Sequence, residues 1–291
     1  MIEPLPGAYL SRVSPLFQRF MQSQPMCTAV LEGIYPGKVY ADDSARPTTA
    51  ALITYIESEA HGMWCFLAGE PRNHAFNQSL NAAIFSHQII SENTPFALFT
   101  CDPDDWGGQM GVVVAPHQPI WIPRFHFVSR QVSFDWRAAL PAGFTVERMS
   151  RDLLRLPGLR LPEDVAATLS KWQAATDPRF RDFGFVTLDR SRPRPVIASW
   201  ATVDFIAAGA GDLGFFTQPN YRHRSLGTIV ASAALEHAFA SGLQQVNWTC
   251  DADNPGSVHT AQKLGLGRLE DYHQAVLILN EQTPAAFPSH D

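Results

Sequence analysis

The sequence predicts an α/β protein of two domains, with an α+β mixed sheet in the C-terminal half, and three observations carry that expectation. At 291 residues, 45% hydrophobic and 17% charged, the chain is long enough to bury two cores. Its last third changes period repeatedly: a short apolar strand ending at Thr217, a turn of small and basic residues, and a long apolar helix from Leu226 to the stop at Gly242. A strand over Val246–Asp251, a short helix and a final strand at Tyr272–Leu279 follow. The first half has strands and a helix or two but no second copy of that turn, so residues 1–128 read as a helper domain and 129–291 as the domain that carries chemistry.

In chain order, the prolines at 4, 6 and 15 delay the first firm helix to about Pro15, with Leu16, Phe17, Phe20 and Met21 on its apolar side. Val39–Asp43 and Ala50–Ile56 read as paired strands, and Met63–Gly69 as a buried one. Residues 77–90 have helical spacing, with His87 at the edge of the core, and Phe96–Cys101 is a strand. The carboxylates of Asp102, Asp104 and Asp105 suggest a hard cation, but they lack calcium-loop spacing and read better as a solvated turn. Pro116, Pro119 and Pro123 punctuate the join near Ser129, where Phe125, Phe127 and 131–134 open a new strand.

Further on, 150–172 reads as helix broken by Pro157, Gly158 and Pro162, of a kind that forms an acceptor wall, and 183–188 with 196–201 as a hairpin. Gly209, Gly211 and Gly214 spell G-x-G-x-x-G, yet a strand follows them where a dinucleotide fingerprint needs a helix, so they read as a glycine-rich turn. Asn254 and Pro255 have the chemistry of an N-cap and first helical residue, and Gly265 that of a helix stop.

A net charge of −6 and a pI near 5.9 argue against a general nucleic-acid or membrane-surface binder. The first residues lack a signal-peptide pattern and no apolar run is long enough to span a bilayer, so a cytoplasmic protein is expected. Cys27, Cys65, Cys101 and Cys250 are widely spaced, which suits reduced thiols better than a zinc knuckle, and no metal is expected.

The turn before the long helix is an anion site. A helix start leaves backbone N–H groups unpaired and carries partial positive charge, and Arg222 and Arg224 stand beside it, while Ser225 and Gly227 keep the first turn slim enough for a cofactor to approach. Surface salt bridges are the alternative for both arginines.

Arg222-His223-Arg224-Ser225-Leu226-Gly227 resembles the pyrophosphate loop Q/R-x-x-G-x-G/A of the GNAT superfamily of acetyl-CoA-dependent N-acyltransferases, with Ser225 where the first glycine is usual. Trp248-Thr249-Cys250-Asp251, Asn254, Ser257, Ala261 and Lys263-Leu264-Gly265 resemble the corresponding segment of the subgroup that includes the zwittermicin A resistance protein. Leu31–Gly33, Val39–Asp43, Phe66–Gly69 and Phe183–Phe185 are looser markers of the same subgroup.

The resemblance implies a GNAT-type fold in the C-terminal half, the N-terminal domain being an α/β helper or a degenerate copy of it. It implies acetyl-CoA as co-substrate and a small-molecule amine as acceptor, with monomer and homodimer both open. In that family two parallel strands splay apart and the pantetheine arm bonds to the first, here at Phe215, Phe216 and Thr217. Arg222, His223, Arg224, Ser225, Leu226, Gly227 and Thr228 would hold the phosphates, with Asn254 and Ser257 beyond. Lys263 either reaches a terminal phosphate or lies on a solvated helix face.

Acyl transfer from a thioester to an amine needs a neutral amine, alignment and oxyanion stabilisation, and no metal. The tyrosine that many GNAT enzymes use as acid is Ala261 here. Ser257 and Cys250 are the remaining donors, and Asp204, Asp212 and Asp251 the carboxylates able to act as base. Asp212 and Asp251 also have turn-forming readings. The missing tyrosine keeps a second class in view, a non-catalytic acyl-CoA sensor or scaffold of the same fold.

Overall fold

The structure is a computed structural model and describes residues 2–55, 62–86, 88–90, 94–102 and 104–279. Ile56 and His87, both given sequence readings above, lie outside the described residues. The chain divides into two compact units, one holding residues up to Arg124 and again from Tyr272 onward, the other Phe125–Asp271.

The first unit opens with short helical pieces where the sequence suggests one helix: α1 (Leu10–Val13), a 3-10 turn at Ser14–Phe17, α2 (Gln18–Ser23) and α3 (Pro25–Leu31). Gln24 leaves helical backbone before Pro25, as a residue preceding proline is pushed to do. Phe17 and Phe20 are buried as their spacing implies, while Met21 is only half-buried. Strands β1 (Lys38–Ala41), β2 (Thr49–Tyr55) and β3 (Met63–Gly69) pair antiparallel in sequence order. Helix α4 (His74–Phe85) then crosses to β4 (Phe96–Asp102), which runs parallel to β3 over six registered pairs from Met63↔Ala97 to Ala68↔Asp102.

Helix α5 (Met110–Val113) covers this unit's core, where Leu67, Leu80, Ile84, Phe99 and Trp106 are buried. Asp102 ends β4 and pairs with Arg19 at 3.1 Å. Among the described residues no group of three or more His, Cys, Asp or Glu side chains is placed to hold a metal.

Strand β5 (Ile120–Ser129) runs through Pro123, so the prolines read as punctuation do not break it, and the expected strand over 131–134 is absent. In the second unit, helix α6 (Trp136–Ala139) precedes β6 (Phe144–Arg148), and a 3-10 turn at Leu153–Arg155 leads to α7 (Glu163–Ala174). Strands β7 (Phe183–Asp189), β8 (Val196–Ala207) and β9 (Ala210–Thr217) form an antiparallel meander with β6 at its edge. The glycine-rich run is the β8–β9 hairpin: Ala208 and Gly209 take φ of 46° and 76°, while Gly211 and Gly214 lie within β9.

Helix α8 (Leu226–Ala240) carries the chain to β10 (Gln245–Asp251), parallel to β9, and α9 (Pro255–Lys263) leads to β11 (Gly267–Ile278). The sheet of this unit therefore reads β6-β7-β8-β9-β10-β5. Its two faces follow from period-two alternation. Ala201, Val203, Leu213, Val246, Trp248 and Cys250 meet α8 and α9, while Val186, Leu188 and Trp200 on the other face meet α7 through Val165 and Leu169. Each unit thus repeats one order, an antiparallel meander, then a helix, then a strand parallel to the meander's last.

Candidate active site

The two parallel pairs differ where it matters. β9 and β10 register at only three positions, Ala210↔Gln245, Gly211↔Val246 and Asp212↔Asn247. Past Asp212 and Asn247 the strands part, while β9 stays paired to β8 as far as Thr217. The edge of β9 from Leu213 to Thr217 therefore presents backbone polar groups to a gap rather than to a strand, which is the geometry needed to add an extended amide-containing chain. Phe215, Phe216 and Thr217 all lie on that edge segment.

The gap opens toward the start of α8. A 3-10 turn at Pro219–Tyr221 follows β9, held by Gln218 N–H to Ala198 C=O (2.9 Å) and by the Tyr221 hydroxyl donating to Asp189 Oδ2 (2.9 Å). Burial pushes the Asp189 carboxyl up, but bonds from Ser191, Tyr221 and Arg192 outweigh it and hold the group down at about 2, so it is a permanent anion at the foot of the turn. Nothing in the sequence marked Asp189 or Tyr221, because their partnership spans 32 residues.

From that anchor Arg222, His223 and Arg224 project into solvent. Neither arginine has an ion pair among the described residues, and the Arg224 guanidinium lies 5.6 Å from the Tyr221 ring centre. His223 and Ser225 adopt left-handed backbone, φ 62° and 60°. A glycine would take that conformation freely, which accounts for the family's usual residue at Ser225.

The first bond of the helix ladder is Ile229 N–H to Ser225 C=O (2.9 Å), so the N–H groups of Leu226, Gly227 and Thr228 precede it, and Ser225 makes no side-chain cap. Left-handed residues followed by helical N–H groups form a concave anion nest. Lys263 stands beside it on an exposed side chain, its Nζ donating to Ser225 Oγ at 2.7 Å.

Gly227 differs from its sequence reading. A Cβ there would lie 2.9 Å from Thr217 Oγ1 and 3.0 Å from the Phe215 ring, so the missing side chain makes room for β9 rather than for a ligand. Its backbone N–H remains part of the nest.

The proposed catalytic residues scatter. Asp212 sits where β9 and β10 part, on the face opposite α8. Asp204 lies directly across from it on β8 but is engaged with Asp182 and with Lys171, 3.9 Å from its Oδ1. Asp251 ends β10, its C=O accepting from Asn254 N–H. Asn254 caps α9 by accepting from Ser257 N–H at 2.9 Å, so its side chain is committed to the fold, and Ser257 stands in the first turn of that helix. Cys250 and Ala261 are buried in the α8-side core, which places the thiol away from an open site and leaves nothing acidic at the tyrosine position.

A strand pair opened into a V, with an arginine-flanked helix start at its mouth, sets groups of the kind that bond to phosphate beside a backbone edge of the kind that bonds to amides. Over residues 14–274 the sequence matches the GNAT acetyltransferase family, to which the chain belongs, and it is an acetyltransferase. Solved structures agree in fold. A GCN5-related N-acetyltransferase-like protein from Streptococcus suis is 20% identical with a TM-score of 0.63, over 93% of this chain and 98% of that one. A GCN5-related N-acetyltransferase from Sphaerobacter thermophilus is 12% identical with a TM-score of 0.62, over 96% of each chain. A tandem GNAT protein from the clavulanic acid biosynthesis pathway is 10% identical with a TM-score of 0.61, over 96% of this chain and 98% of that one. Among curated proteins, none matches the chain in sequence. GNAT enzymes use acetyl-CoA, and the unpaired arginines, the nest and the free strand edge fit its pyrophosphate and pantetheine arm.

Proposed function

We propose that the protein transfers an acetyl group from acetyl-CoA to a primary amine of a small molecule, with the second unit as the catalytic domain and the first as a helper that has kept the fold. The observation that carries this reading is the early end of β9–β10 pairing directly upstream of the Arg222–Ser225 turn. Arg222, Arg224, Lys263 and the N–H groups of Leu226, Gly227 and Thr228 hold the pyrophosphate, and the edge of β9 aligns the arm so that the thioester reaches the point where the strands part.

At that point Asp212 takes the proton of the incoming ammonium, directly or through water, and the amine then attacks the thioester carbonyl. With Ala261 in place of an acid, the departing thiolate is protonated by solvent or by Ser257. A thiol's ordinary pKa near 8 to 9 makes its anion a tolerable leaving group about neutral pH. The subgroup resemblance supports an amino-containing antibiotic or related metabolite as the acceptor class to try first.

Radiolabelled acetyl-CoA incubated with the full chain and an amine library tests the reading. Label transferred to amines, with kcat/KM falling at low pH and that fall abolished in Asp212→Asn, is the expected result. Thioester hydrolysis without amine acetylation, or a profile flat on the acid side, would overturn it.

A further inference from the structure

Glu270, His126, Asn247 and Asp212 all belong to the second unit and stand on β11, β5, β10 and β9, four neighbouring strands. They form a polar row that ends where β10 and β9 part, at the last registered pair Asp212↔Asn247. His126 has no exposed surface and Asn247 is 1% exposed. An imidazole and an amide are thus held out of water beside the point proposed for the reacting carbonyl, and burial of such groups is costly unless their bonds are made.

One obligate donor fixes the direction of the bonds around Asn247. The Arg130 guanidinium cannot accept, so Gln245 presents Oε1 to it at 2.8 Å. The other end of that amide, Nε2, then donates to Asn247 Oδ1 at 2.8 Å. With that oxygen assigned, His126 also donates to it, from Nε2–H at 3.0 Å, and its Nδ1 is left 3.6 Å from Glu270 Oε1 with no hydrogen-bond partner. Two donors therefore saturate the carbonyl end of Asn247 and turn its Nδ2 toward β9. There the two N–H groups of the amide meet one acceptor among the described residues, Gly211 C=O at 3.5 Å, the outer edge of hydrogen-bond range. An amide locked at its carbonyl end, dry, and with donor capacity to spare is suited to stabilise charge that develops on an oxygen, because nothing has to reorganise when the charge appears.

We propose that Asn247 Nδ2 donates to the thioester carbonyl oxygen during transfer, with Gln245 and His126 as the positioning residues that hold its amide. This role rests on the acetyl-transfer reading and adds to it the group that carries the oxyanion. Asp212 removes one proton from the ammonium, the freed lone pair of nitrogen forms the C–N bond, and the carbonyl π pair moves onto oxygen beside Asn247. The pair then returns, the C–S bond breaks and the thiolate leaves, while the surplus proton on nitrogen goes to solvent as the thiolate takes one up. Asn247 exchanges no proton. Its bond to the oxygen strengthens as charge builds, so its loss is felt in kcat rather than in cofactor affinity.

The first test needs no acceptor. Acetyl-CoA isotopically labelled at the thioester carbonyl is bound to the full chain, and its carbonyl band is compared with that of free acetyl-CoA by infrared difference spectroscopy. The expected result is a bound band at lower frequency in the unaltered protein, because donation to the oxygen weakens the C=O bond. The band should return toward its free position in Asn247→Asp, whose carboxylate still accepts from Gln245 and His126 but cannot donate. Gln245→Leu, which releases one of the two bonds that hold the amide, should give a smaller shift. Calorimetry should find CoA affinity unchanged in Asn247→Asp, and with an amine that the protein acetylates, kcat should fall about 100-fold or more at constant KM for acetyl-CoA. A band that stays at its free position in the unaltered protein, or that shifts equally in Asn247→Asp, overturns the role of Asn247 and leaves acetyl transfer standing. Failure of the unaltered protein to bind acetyl-CoA overturns the transfer reading, and the donor role with it.

Discussion

Replacing Gly227 separates two accounts of the helix start. If its small size serves the cofactor, Gly227→Val folds normally and loses acetyl-CoA. The geometry assigns the space to β9: a Cβ meets Thr217 Oγ1 at 2.9 Å and Phe215 ring carbons at 3.0 and 3.1 Å. The threonine hydroxyl can rotate away, but the Phe215 ring is packed edge-on against Trp248, 4.7 Å between centres, and has little freedom to retreat. For alanine, a helix-propensity gain of up to about 1 kcal/mol opposes an overpacking cost of about 1 to 3 kcal/mol. The expected net loss is about 1 kcal/mol. Valine adds two carbons to the same space and gives up helix propensity, so about 2 to 3 kcal/mol is expected. In a protein of this size that lowers Tm by about 2 to 4 °C for alanine and roughly twice that for valine. Thermal melting without ligand reads the effect, and an unchanged Tm in Gly227→Val together with lost CoA binding would refute the packing account.

Arg222→Ala combined with Arg224→Ala should weaken CoA binding by about 2 to 4 kcal/mol, since each charge-assisted bond is worth about 1.5 to 3 and both groups are exposed. Tm should not move, because neither arginine has an ion pair among the described residues, and calorimetry on the folded double variant checks both. Tyr221→Phe takes one of two side-chain donors from Asp189 Oδ2, leaving the bond from Arg192 Nε, and should cost about 1 kcal/mol by urea unfolding, with CoA affinity falling as the turn loosens. Asp182 has a folded pKa of about 9, far above its unfolded value, so the stability tied to its proton is whole below about pH 4 and drains away as pH rises through 9. Asp182→Asn should flatten that decline, and parallel urea midpoints of the two proteins at pH 5, 7 and 9 would show no difference in slope if the carboxyl were ionised throughout.

What the sequence made legible is what local periodicity or a contiguous motif encodes. Leu226, Ile229, Val230, Ala233 and Leu235 predict α8 and Gly242 its end, and the helix runs Leu226–Ala240 with Gly242 at φ 94°. Alternation over 246–251 predicts a two-faced strand, and β10 has one. The arginine turn is contiguous, so its place at the helix start could be read directly. The site's remaining parts depend on register between distant segments. Asp182 meets Asp204 only because Phe183 pairs with Val203, and Asp189 meets Tyr221 across two hairpins. No pattern in 245–251 announces that pairing stops at Asn247. Pro123 misled in the other direction, a residue that usually breaks strands lying within one.

The repeated order in the two units supports placing the proposed cofactor site in one of them. Each has a strand, a turn, a helix and a second strand parallel to the first, as β3-α4-β4 and as β9-α8-β10. In the first unit the pair is zipped over six positions, through Ala68 and Asp102 at the strand ends, and the edge that an amide chain would need is consumed. Its helix start is closed as well. Asn73 caps α4 through Phe76 N–H at 3.2 Å, and the Glu70 carboxylate accepts from Arg72 N–H at 2.9 Å, so the chain's own anion occupies the turn and repels another. In the second unit the corresponding turn carries Arg222 and Arg224, has an uncapped helix start, and faces strands paired over three positions. Open strands supply backbone groups to an arm and an uncapped helix supplies N–H groups to phosphates. Either alone suits one part of a cofactor such as CoA, and in the proposed site the turn at Arg222–Ser225 joins the two.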